Sequence, residues 1–141
     1  MNIENRNSEL APCGIFCGAC PSYPQTCFGC PSEDISQDRS SKWACEIRKC
    51  CYGWKNLNYC IHCTEFPCNT VKWKLLETHA GVPRFAYRHE LLRTFPKLLE
   101  LGEDGYHQYH KDRWVCPDCG GRVVFWKYRC KNCGKEDIII D

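Results

Sequence analysis

The sequence predicts a small metal-stabilised α+β protein: an irregular cysteine-rich zinc-binding module, a short helical segment and a C-terminal zinc-ribbon hairpin. Three observations carry this expectation. Fifteen cysteines occur in 141 residues, and five pairs of them are spaced C-x2-C. Residues 69–113 hold no cysteine and read as helix. The last four cysteines form two pairs around a β-prone run. The expected boundaries are 1–68 for the cysteine-rich metal-binding module, 69–113 for the helical segment and 114–141 for the ribbon.

Composition limits the setting. Complete disulfide pairing of fifteen cysteines would leave one thiol over, which counts against a secreted disulfide lattice. The start, MNIENRNSELAPCG, has no basic stretch followed by an apolar run. No segment has the apolar length of a membrane span. A cytoplasmic setting is therefore expected, where thiols stay reduced and dense cysteines bind metal. The formal charge of +2 is too small to argue for nucleic acid.

The first element holds eleven cysteines and five of the eight prolines within residues 12–68, with few apolar runs that could build a core. SEDISQDRSSK (32–42) reads as an exposed loop. The candidate ligands are Cys13, Cys17, Cys20, Cys27, Cys30, Cys45, Cys50, Cys60, Cys63 and Cys68. Sequence order suggests one site from Cys17, Cys20, Cys27 and Cys30. A second would take Cys60 and Cys63 with two of Cys45, Cys50 and Cys68; interleaved pairing is equally possible physically. Two Zn²⁺ ions are expected here, with an iron–sulfur cluster as the alternative. Cys51 adjoins Cys50, and neighbouring side chains point in different directions, so it is not expected to ligate.

CGIFCGACPSY, CFGC, CEIRKC and NYCIHCTEFPC, in this order, resemble the uncharacterised cysteine-rich family of bacteria and archaea catalogued as domain of unknown function 3795. The resemblance spans about residues 12–79 and takes in the ten cysteines named above, leaving Cys51 outside the pattern. Relatives continue with an FPKLLELG-like stretch and a ribbon opened by RWVCPDCGG. The resemblance implies metal binding and no reaction.

In the middle element, Asn69 or Thr70 can cap a helix that presents Val71, Leu75 and Leu76 and ends at Gly81. A second helix is expected near Arg84, burying Phe85, Leu92 and Leu91. Pro96 suits the first turn of a third, PKLLEL, closed by Gly102, with EDGYHQYHKDR as a fourth.

The last element is the clearest. Cys116 and Cys119, then Cys130 and Cys133, form two knuckles separated by ten residues, each followed by a glycine, Gly120 and Gly134. Such knuckles at the ends of a hairpin complete a closed S4 site for one Zn²⁺. Phe125, Trp126 and Tyr128, interleaved with Lys127 and Arg129, either cover the metal or form a binding face.

Sharper chemistry finds little footing. Cys13, Cys17 and Cys20 have the C-x3-C-x2-C spacing of radical enzymes that use S-adenosylmethionine, but the chain is too short for their barrel. Cys50–Cys51 and CIHC lack the βαβ setting of thiol–disulfide catalysts. His62 lies inside a knuckle, His107 and His110 are three apart near Asp112, and HELLR lacks the second histidine of a zinc-protease helix. No catalytic residue, small-molecule substrate or membrane association is inferred. The expected role is a zinc-stabilised interaction module for a protein or nucleic-acid partner, with a redox or electron-transfer protein as the alternative.

Overall fold

The computed structural model describes residues 7–37 and 39–140. The first half is made of tight turns. Each of two C-x2-C pairs closes a 3-10 turn, with Cys20 N–H donating to Cys17 O at 2.9 Å and Cys63 N–H to Cys60 O at 2.9 Å. Between them lie α1 (Ser40–Trp43), α2 (Glu46–Arg48) and a π-helical stretch over Lys49–Trp54. The 32–42 segment is not wholly an exposed loop. Gln37 and Lys42 are buried within it, because the loop's polar groups gather around the lysine ammonium.

The helical segment follows the expected breaks. α3 (Asn69–Val71) has Cys68 as its N-cap and continues as π-helix over Lys72–Leu76, with Val71 and Leu75 buried. Gly81 then adopts φ 77 in the turn. α4 (Ala86–His89) and α5 (Leu91–Thr94) bury Tyr87, Leu91 and Thr94, whereas Leu92, expected inside, is 53% exposed. The buried stripe starts from Tyr87 at i, i+4 and i+7, and Leu92 falls beside it. α6 (Lys97–Arg113) is interrupted at Gly102, whose φ of 78 is open to a residue without Cβ, so the two last expected helices run into one element with a kink. No helix among the described residues is long and apolar enough to cross a membrane.

The C-terminal hairpin pairs β1 (Val123–Val124) with β2 (Arg129–Cys130), in the register Val123 to Cys130 and Val124 to Arg129. Its turn holds the aromatic residues, with Trp126 and Tyr128 at positive φ.

Composition divides the chain into three segments, but one core runs through all of them. Leu10, Phe16, Ala19 and Tyr59 meet Tyr87, Phe95, Leu98 and Tyr106 in the same cluster as Trp114, Val123, Phe125 and Ile138. Backbone and side-chain bonds tie the ends together. Phe125 N–H donates to Ala19 O at 2.9 Å, Arg122 donates to Tyr23 O at 2.8 Å, and Tyr106 OH donates to Gly14 O at 2.7 Å. Phe125 stacks on Tyr87 at 3.9 Å. A smaller cluster of Ile47, Val71, Leu75 and Leu91 joins the cysteine-rich half to the helices. Inside the molecule, Arg113 pairs with Glu90 at 2.8 Å and so holds the end of α6 against the α4–α5 junction.

Candidate metal centres

The sulfurs of Cys116, Cys119, Cys130 and Cys133 all lie within 4.8 Å of one another. Cys116 and Cys133 are 3.7 Å apart, and Cys119 and Cys130 are 3.4 Å apart. A tetrahedral ion with metal–sulfur bonds of about 2.3 Å sets its sulfurs about 3.8 Å apart. The donor set and the spacing therefore fit one such ion.

The local sequence explains the convergence. Gly120 and Gly134 take φ 76 and φ 81, letting their N–H groups return to Cys116 O at 2.9 Å and Cys130 O at 3.0 Å. The N–H groups of Asn132 and Cys133 point at Cys130 Sγ, at 3.3 and 3.4 Å. Gly121 is a cradle: a Cβ there would sit 2.8 Å from Cys130 Sγ and 3.2 Å from Cys119 Sγ. The Asn132 side-chain amide donates to Cys119 Sγ at 3.4 Å. That bond, followed by the Gly121 N–H and the Cys130 thiol, holds the Cys119 thiol down to about 6, ready to ligate at neutral pH. Asn132 and Gly121 escape a search for ligand residue types because neither is itself a ligand. With four protein sulfurs, the site has no open position for substrate.

The eleven N-terminal thiols are arranged differently. Among the described residues, no three of their sulfurs approach within 4.8 Å of one another. Cys17 and Cys30 are in contact, with Cys30 N–H donating to Cys17 Sγ at 3.4 Å, and Cys20 lies near Cys27 and Cys30. Cys50, Cys60, Cys63 and Cys68 line a separate cavity with Cys51. Cys45 is not on that wall. It neighbours Cys13, whose thiol burial pushes up, with Cys30 adding to the effect.

A cationic collar surrounds the first group. Lys42 is only 4% exposed, and its described acceptors are all neutral: Gly29 O at 2.8 Å, Ser32 O at 2.7 Å and Gln37 Oε1 at 2.8 Å. Burial draws its pKa down, while the Cys27 and Cys30 thiols draw it up. The Cys30 thiol is held down to about 7, first by its bond with Cys17 and then by Lys42, Arg48 and Arg39 acting against burial. Arg48 also donates to Cys30 O at 2.7 Å. A buried ammonium is costly without opposite charge, and metal-bound thiolates would supply it. Lys42→Met is therefore expected to weaken metal binding by the N-terminal thiols about 10- to 100-fold, the usual range for lost outer-shell partners. Chelator competition on the full chain checks this, with retention of the C-terminal ion as the internal control.

The histidines do other work. His107 pairs with Glu9 at 2.7 Å, and His110 is buried against Phe16 and Tyr106, with Nδ1 facing Arg113 at 3.1 Å. Burial lowers the pKa of His110 to about 3, so it is a neutral core residue. Comparison of the chain with protein-family models, with curated proteins and with solved structures finds no match.

Proposed function

We propose that this chain is a zinc-stabilised interaction module, with Zn²⁺ in the C-terminal four-cysteine site, and that its partner is single-stranded nucleic acid. The observation that carries the partner is a groove of about 410 Å³ beside the hairpin turn. Arg84, Lys127, Arg129 and Lys131 line it together with Phe125 and Trp126, and no carboxylate is on its wall. The Arg84 guanidinium sits 4.9 Å from the Trp126 ring centre. Cations next to an aromatic face are what a phosphate backbone with unstacked bases requires. Of the four, Lys127 has only a loose pairing with Glu136, at 4.0 Å. Other ring faces of the hairpin are already occupied: Phe125 by Tyr87, and Tyr128 by Trp114 at 5.9 Å. The hairpin aromatics thus divide between cover and contact surface.

Zinc suits the closed site because it needs neither a redox partner nor an open position. The likeness to domain of unknown function 3795 supports metal binding and adds no reaction. Fluorescence anisotropy with labelled single-stranded oligonucleotides tests the groove. Four phosphate contacts give a slope of log K against log salt of about −3. Lys127→Glu with Arg129→Glu is expected to weaken binding more than 10-fold while zinc content stays unchanged. Equal binding by this variant would refute the groove as the interface.

A further inference from the structure

Cys50, Cys51, Cys60, Cys63 and Cys68 stand on the wall of one cavity of about 370 Å³. A single tetrahedral ion draws four sulfurs to about 3.8 Å of one another, as the C-terminal knuckles do. Here, among the described residues, no three donor atoms lie within 4.8 Å of one another. These thiols face a volume instead of a point. We propose that the cavity is the site of a [4Fe–4S] cluster held by Cys50, Cys60, Cys63 and Cys68. This inference is independent of the nucleic-acid groove.

A cuboidal cluster spreads its four cysteine sulfurs further apart than one ion can, and it needs enclosed space for its inorganic core. The cavity offers about 370 Å³ for such a core, and its thiols are not gathered as tightly as one ion requires. The ligand count also closes at four. Cys51 is 2% exposed and its S–H donates to Leu57 O at 3.3 Å, a bond that a metal-bound thiolate cannot make. Ile47, Leu57, Phe66 and Val71 give the wall an apolar share, with Asn69 and Thr70 beside them. Lys55 and Glu65 line the cavity as an ion pair, so together they leave its charge unchanged.

The test uses the full chain, purified without oxygen and then incubated with ferric iron, sulfide and excess thiol, which reduces half of the iron as it forms its own disulfide and so leaves a core of two Fe²⁺ and two Fe³⁺. The expected product is brown and holds about four irons and four acid-labile sulfides per chain, in addition to the C-terminal ion. Mössbauer spectra should show tetrahedral iron in a cubane. Cys63→Ser and Cys68→Ser should each cut cluster iron at least fivefold with the C-terminal ion retained, whereas Cys51→Ser should keep all of it. Two results would overturn the proposal without any variant: colourless protein after reconstitution, or zinc bound by these thiols in preference to iron. Full iron in Cys63→Ser would place any cluster elsewhere. Equal loss from Cys51→Ser and Cys63→Ser would overturn the ligand assignment.

Discussion

Cys130→Ser is expected to unfold the whole chain, not the hairpin alone. Cys130 and Cys116 are 1% and 3% exposed and belong to the main apolar cluster beside Trp114, Val123 and Phe125. An ion held there would therefore fix part of the core. Structural zinc sites contribute on the order of 10 kcal/mol, against a net stability of about 5–15 kcal/mol for a typical domain. Losing one ligand also leaves the buried Cys116 thiol and the exposed Cys119 and Cys133 thiols without their metal. The expected outcome is loss of one equivalent of metal together with loss of NMR dispersion for α4, α5 and α6. Gly121→Ala should act in the same direction through crowding of Cys130 Sγ and Cys119 Sγ. Dispersion that survived in α6 after verified metal loss would show that the core holds without the ion.

Phe95→Ala should cost about 3–5 kcal/mol, the range for truncating a fully buried phenylalanine. The ring is 0% exposed and packs edge-on to Phe66 at 5.4 Å and beside Tyr106 at 5.9 Å. It also lies under Gly14, where a Cβ would come within 2.6 Å of the ring. Gly14 follows Cys13, so the cavity left by truncation opens at the seam between helices and thiols. Denaturant unfolding of the metal-loaded protein checks the magnitude. A loss under 1 kcal/mol would mean that the seam closes over the gap.

The C-terminal site could be read from sequence because everything it needs is local: two knuckles, two glycines with positive φ and a short hairpin. The kink in α6 was legible for the same reason, through Gly102. Leu92 was misplaced because Phe85 and Tyr87 offer two possible origins for the helical stripe, and only packing against Phe125 selects Tyr87. Lys42 could not be recognised as buried, since its acceptors come from residues 29, 32 and 37 and its pattern is that of a solvated loop. Cys45 and Cys68 were interchangeable as partners for Cys60 in the sequence. The cavity wall includes Cys68 and leaves Cys45 out.

The bonds between the two ends also set an order of events on the ribosome. Arg122 donates to Cys20 O at 3.3 Å across 102 residues of chain, and Phe125 N–H reaches Ala19 O. The turns around Cys17 and Cys20 thus emerge long before the strand that caps them. At about 5–20 residues per second, that interval lasts roughly 5–20 s. For that time the first half of the nascent chain presents unshielded thiols, so oxidants and free metal compete for them before folding can choose. Emergence of Arg122 and Phe125 is what brings their cover to these turns.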